Sequence, residues 1–259
     1  MSPGGFEKCY AKPLGGCTSK SKEHFVSNGI LQSIGPMVVC GLPWQKPGEK
    51  LEMGHNSLTA AVLCDHHNSA LSSLDASAIQ LFNHLKLIDS KKRFIDLART
   101  PNGIRFDGHT IEKWFLKVLC GVIASGNYQI NGQGYGKLAV SDYLLDLLFS
   151  KRPWDVGIGL YVNAKDKSEV RAFKGVGFHL ICATKGTDCS VVGISIELWG
   201  FPLKCFFATH KQGWDLSQYR PEGLKFKNGP TIRELHFDWP QGSVTSGAPT
   251  LTRTGTQAQ

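Results

Sequence analysis

Apolar positions follow two different rhythms along the chain, and Pro153 separates them. Before it, the spacing is helical. In 74–88, Leu74, Ile79, Leu81, Phe82, Leu85 and Ile88 recur at intervals that place them on one side of a helix. Ser73 is the expected N-cap, and Asp75 lies in the first turn, where a carboxylate is favourable. A second helix is predicted over 109–124, with Ile111, Trp114, Phe115, Val118, Leu119 and Val122 forming a wide apolar stripe. Gly126-Asn127 suits its C-terminal cap. A shorter third helix is predicted over 140–148, and Pro101-Asn102-Gly103 reads as a turn.

After Pro153 the runs are rich in β-branched and aromatic residues. Strand patterns cover 157–163, 170–184, 191–209 and 231–239, with turn residues between them, as at 185–188. They read as an antiparallel meander. Residues 1–72 are irregular and rich in Gly, Pro and Ser, too poor in periodic segments to build a large core alone. The segment 241–259 is mostly Gly, Ser, Thr and Gln, with Arg253 its single charge, and is expected to be disordered. The predicted class is α+β. Its parts are an N-terminal domain over 1–90, an α+β domain over 91–240 (helices 109–149, meander 157–239) and a tail over 241–259.

At 259 residues the chain suits one large domain or two modest ones. No apolar run approaches the roughly 20 residues of a membrane span, and residues 1–12 lack a signal-peptide core, so a cytoplasmic protein is expected. A formal net charge of +8 and a pI of about 9.1 favour a polyanionic partner such as nucleic acid. Lys20, Lys22 and the Lys91-Lys92-Arg93 triplet are the candidate phosphate contacts, the triplet having solvated surface as its plainer reading. Trp44, Trp154, Trp199, Trp214 and Trp239 are read as packing residues rather than base-stacking platforms, and His179 and His236 as ordinary sheet residues. Walker A, Gly-x-Ser-x-Gly and Rossmann patterns do not occur.

Eight cysteines in a chain of this length, without a secretory leader, point away from a disulfide framework. Cys120, Cys182 and Cys205 sit in apolar, regular segments and read as buried thiols. Cys40 and Cys189 take no assignment. Cys9, Cys17 and Cys64 lie in polar surroundings, and Cys64 forms a Cys-x-x-His pair with His67. Together these supply the four Cys/His ligands of a structural zinc. The seven residues between Cys9 and Cys17 exceed the usual two to four, and two free thiols in a loose loop are the alternative. His66 competes with His67 as ligand, but the two-residue spacing favours His67.

A second constellation adjoins the first. Cleaving a phosphodiester needs a base to activate water and a cation to stabilise charge on phosphate and leaving oxygen. Glu23 offers a carboxylate for the cation. On a strand, His24 beside it projects to the other face, toward a phosphate. Asn68 offers an amide oxygen, and because it follows His67 directly, one short helix would join zinc and reaction centre. Read alone, His24 is an exposed loop histidine.

Taken together, Cys…Cys…Ser-Lys-Glu-His…Leu-Cys-x-x-His-Asn resembles the HNH nucleases of the His-Me (ββα-metal) finger superfamily, in the branch with Glu-His followed by Cys-x-x-Cys-Asn. The resemblance spans roughly residues 7–75. It implies a zinc-supported ββα-metal finger in which Glu23 and Asn68 hold Mg²⁺ or Mn²⁺, His24 is the general base, and Cys9, Cys17, Cys64 and His67 bind zinc. His67 stands where the family commonly has Cys. The middle Asn of the family triad, which orients the base, is absent from Leu58-Thr59-Ala60-Ala61. Thr59 is the replacement, with Asn56 and His55 as alternatives. Residues 43–48 read as an inserted loop. The function implied is a metal-dependent DNA endonuclease, a homodimer if it cuts both strands symmetrically. The alternatives are a non-catalytic zinc finger that binds nucleic acid and an interaction protein of a mobile-element or defence system.

Overall fold

A computed structural model describes residues 5–39, 45–46, 49–89, 104–130, 133–134, 136–163, 175–185, 188–208, 217–228 and 231–252. Lys91-Lys92-Arg93, the 101–103 turn, Cys40, Trp44, Trp214, most of the 43–48 loop and the 253–259 end lie outside these residues, as do the side chains of His55 and Cys189. In chain order the strands and helices are β1 (Glu23–His24), α1 (Asn28–Ile34), β2 (Met37–Val39), β3 (Leu51–Met53), β4 (Thr59–Ala60), α2 (Asp65–Ala70), α3 (Ser72–Asp89), β5 (Ile104–Asp107) and α4 (Gly108–Ser125). They continue with β6 (Gln129–Ile130), β7 (Gln133–Gly134), α5 (Asp142–Leu148), β8 (Gly159–Asn163), β9 (Val176–Lys185), β10 (Asp188–Leu198) and β11 (Phe201–Phe206). The last four are β12 (Ser217–Tyr219), β13 (Gly223–Asn228), β14 (Thr231–Asp238) and β15 (Thr250–Thr252). The class is mixed α+β, as expected.

The chain divides into two units, but not at residue 90. The first comprises residues 1–79 and 113–153, the second 80–112 and 154–259, so two of the three boundaries fall inside helices, one in α3 and one in α4. The reason lies in α4. Besides the expected stripe, Leu116, Lys117, Cys120 and Ile123 are buried, so the helix is enclosed on all sides. In the first unit Trp114, Phe115, Val118 and Leu119 join Val26, Ile30, Leu31, Leu58, Leu63 and Leu74 in the core. An irregular N-terminal segment thus gains the helix it needs from 40 residues further along the chain.

The start of α3 differs from expectation. α3 begins at Ser72, one residue before the expected cap, because α2 ends at Ala70 and only Leu71 separates the two helices. Asp75, in the first turn, accepts the Ser27 hydroxyl (2.6 Å) and pairs with Lys117 (2.5 Å). Ser141 does cap α5, accepting from the Leu144 N–H, and Gly126 takes φ +74° after α4.

The second unit is not a simple meander. One sheet has order β12-β8-β11-β10-β9, all antiparallel; the other has order β15-β13-β14-β5, with β15 on β13 and β5 on β14 both parallel. The run 191–209 is a hairpin rather than one strand. Leu198 pairs with Phe201, and Trp199 (φ +52°) and Gly200 (φ +86°) form the two-residue turn between them. Positive φ at both positions matches the twist of the flanking strands. The expectation of a disordered tail fails for 241–252: β15 adds to β13 and buries Leu251. A single apolar side chain with a sheet edge to pair against outweighs the polar composition around it. Cys120 and Cys205 are buried thiols, and Cys182 is half-buried.

A buried ion pair ties the second unit together. Arg220 donates through Nε (2.8 Å) and a terminal nitrogen (3.0 Å) to Glu112, which also accepts from the Leu160 N–H (2.8 Å). Gly159, at φ +142°, leaves room for that carboxylate: a Cβ there would lie 2.1 Å from Glu112 Oε1. Gly159→Ala is therefore expected to destabilise this unit by about 3 kcal/mol or more, through loss of a buried pair. Denaturant unfolding of the variant measures it.

Candidate metal centre and adjoining cleft

Cys9, Cys17, Cys64 and His67 come together, with their ligand atoms all within 4.8 Å of one another. His67 Nδ1 stands 3.1 Å from Cys64 Sγ, 3.5 Å from Cys9 Sγ and 3.7 Å from Cys17 Sγ. Tetrahedral zinc with bonds of about 2.3 Å to sulfur and 2.0 Å to nitrogen sets those edges at about 3.5 Å. The donor set and its dimensions fit, and the cluster could hold a metal such as zinc. His66 is exposed and packs edge-on against the His67 ring.

The local chain explains the unusual Cys9–Cys17 spacing. After Cys9 a 3-10 turn covers Lys12–Leu14, with Pro13 fixing its start. Gly15 (φ +78°) and Gly16 (φ +70°) follow and turn the chain back. Two successive left-handed residues favour glycine. The loop is fastened to the second ligand pair by backbone bonds from Tyr10 N–H to Val62 O (2.9 Å) and from Asp65 N–H to Ser19 O (2.9 Å). Cys64 precedes α2, its carbonyl accepting from Asn68 N–H (2.9 Å), and one helical turn brings His67 back over it.

Electrostatics in the metal-free cluster are uneven. Burial would raise the Cys64 thiol, but backbone N–H groups of His67 and Thr18, with the Cys9 and Cys17 thiols, outweigh it and bring it down to about 7. Burial and the neighbouring sulfurs push Cys17 up to about 12, and burial raises Cys9. Burial also lowers His67, helped by His66 and Lys151. That keeps the imidazole neutral, the form that binds metal. At neutral pH Cys64 is the thiol nearest to ionising, and Cys9 and Cys17 are held further from it.

Beside the cluster lies a cleft of ≈310 Å³ bordered by Lys22, Glu23, His24, Asn68 and Asp75, among others. β1 pairs with β4 so that His24 faces Thr59 and Glu23 faces Ala60. α2 follows, with His67 turned to the sulfurs and Asn68 on the cleft. Asn68 donates through Nδ2 to Ser21 Oγ (3.0 Å). Thr59, opposite the histidine it was expected to orient, donates its hydroxyl to Asn56 O (3.3 Å).

Glu23 is not a free carboxylate. It is 4% exposed and pairs at 2.6 Å with Lys117 of α4, which also holds Asp75. Ser27 links this group to Trp114, accepting from its indole N–H (2.9 Å) while donating to Asp75. Burial raises the Glu23 carboxyl, Lys117 pulls it back, and Asp75 raises it again; the net direction is up. Sequence reasoning missed Lys117. Its only signal is a cation inside the otherwise apolar run WFLKVLCGVIA, visible once the helix is known to be buried all round.

Lys22 borders the cleft, while Lys20 borders a second one on the β4 side. Trp154, Trp199 and Trp239 pack against rings of His109, Phe207, Phe82 and Phe237. No helix among the described residues is long and apolar enough to cross a membrane. Fold and site together define an α+β protein with a three-cysteine, one-histidine cluster able to hold a metal such as zinc. Comparison with protein-family models, curated proteins and solved structures returns no match.

Proposed function

We propose that the chain is a zinc-supported, metal-dependent DNA endonuclease of the HNH type. One observation carries the reading: Glu23, His24 and Asn68 border a single cleft, and the helix that presents Asn68 also presents His67 to the cysteines. A strand pair followed by a helix is the element order that an HNH-type finger implies. In the proposed reaction His24 takes a proton from water, and the resulting hydroxide attacks a phosphate. Glu23 and Asn68 Oδ1 would hold a divalent cation, which when bound supplies positive charge for the phosphate and the leaving 3′-oxygen. Mg²⁺ or Mn²⁺ suits the all-oxygen donor set.

A general base contributes roughly 10²- to 10⁴-fold. His24→Ala is therefore expected to lower plasmid nicking at least about a hundredfold while zinc content and folding persist. Undiminished cutting by the variant would sink the assignment.

A specific observation favours a second reading, a non-catalytic zinc module that binds DNA. Lys117 already neutralises Glu23, and the Thr59 hydroxyl is turned to the Asn56 backbone. Retention on DNA without nicking in Mg²⁺ or Mn²⁺ would select it.

A further inference from the structure

The second cleft of the first unit, of ≈530 Å³, is bordered by Lys8, Lys20 and Lys137, by Glu7 and Asn127, and by Ala60 of β4. The three lysines come from three separate stretches of chain, all are exposed, and none is in an ion pair among the described residues. The one carboxylate, Glu7, is already paired with Lys12. The concavity is therefore bordered by three lysines that have no ion-pair partner among the described residues, and like charges gathered in a concave surface reinforce one another's field.

The fold holds these lysines in place. Lys8 adjoins Cys9, and Lys20 forms a β-bridge with Cys64, so the ligand cluster sets the backbone at both positions. Lys137 passes over Gly126, where a Cβ would lie 3.0 Å from the Lys137 nitrogen. The two clefts adjoin the same narrow ribbon. Ala60, on the second, is the register partner of Glu23, on the first, and strands lie about 5 Å apart.

We propose that this second cleft is a binding site for the phosphate backbone of duplex DNA, through Lys8, Lys20 and Lys137, that delivers a neighbouring phosphate to the His24 cleft. It rests on the nuclease reading for its ligand. Three ammonium groups on three phosphates release counterions, and each phosphate contributes about −0.9 to the slope of log K against log salt. Asn127 adds a neutral donor of the kind that commonly contacts phosphate.

The test is a fluorescence-anisotropy titration of a 20-base-pair duplex against the zinc-loaded full chain at several salt concentrations, without added divalent cation. The triple variant Lys8→Gln, Lys20→Gln, Lys137→Gln is compared with a control of equal charge, Lys46→Gln, Lys50→Gln, Lys225→Gln. Zinc content is measured for both. The cleft variant is expected to weaken binding and to flatten the slope by about 2.7 relative to the control. Equal slopes in the two triple variants overturn the inference, and if wild-type nicking still depends on His24 the nuclease reading survives that result. A flattened slope in a chain that does not nick supports the cleft and removes the nuclease. A wild-type chain that binds no duplex at low salt overturns both.

Discussion

Replacing Cys64 with Ser is expected to abolish zinc binding and to unfold the N-terminal segment of the first unit. Residues 5–21 contain almost no apolar periodicity, and their order comes from the ligand cluster and a few backbone bonds to Val62, Leu63 and Asp65. In small zinc domains the bound ion contributes on the order of 10–16 kcal/mol at neutral pH. Cys64 precedes α2 and bridges to Lys20, so its loss also loosens the backbone around it. Hydrogen exchange should show the Tyr10, Ser21 and Asp65 amides protected in the zinc-loaded chain and open in the variant. The core around Trp114 and Leu119 should stay protected. Retention of one zinc per chain by the variant would contradict the ligand assignment.

Lys117→Met should cost about 3–5 kcal/mol, the usual penalty for removing one partner of a buried pair. Glu23 and Lys117 are 4% and 3% exposed, so neither can turn to water when the other is lost. The sign of the pH dependence follows from Glu23. Its folded value is raised above the ordinary carboxylate range by burial. A group with a raised folded pKa contributes stability below its unfolded value and loses it as pH rises through the folded one. Without Lys117 to pull it down, Glu23 rises further. The variant should therefore approach wild type toward pH 4–5, near the ordinary glutamate value of about 4.3, and fall behind it as pH increases. Glu23→Gln on the same background should recover part of the loss. Urea unfolding at several pH values measures all three chains.

The helices were legible because their signals are local. α4 was expected over 109–124 and runs from Gly108 to Ser125; α5 was expected over 140–148 and runs from Asp142 to Leu148. The four-ligand cluster was legible because Cys-x-x-His is a short-range motif, although the Cys9 partner needed the Gly15-Gly16 reversal to reach Cys17. Three features were hidden for one physical reason: they depend on which distant segments meet. Sheet order was one, since the β5–β14 pairing joins Phe106 to Phe237 across more than a hundred residues. Leu251 was the second, a single apolar residue in a polar tail. Lys117 was the third. A lysine in a helix reads as solvated until Glu23 and Asp75, from elsewhere in the chain, are placed beside it.

The Lys117 pair also sharpens the functional question. Glu23 and Asp75 share the Lys117 ammonium, so this wall of the cleft carries less negative charge than a bare acidic pair would. In the proposed reaction, a cation held by Glu23 and Asn68 Oδ1 would have to compete with Lys117 for the Glu23 carboxylate.

The most direct test is nicking of supercoiled plasmid by the zinc-loaded chain, with added Mg²⁺ or Mn²⁺ as the variable and the His24→Ala chain run beside it. The account predicts cutting only when the divalent cation is added, with zinc still at one per chain and the variant at least about a hundredfold slower. Cutting that needs no added cation, or that His24→Ala leaves intact, would contradict it.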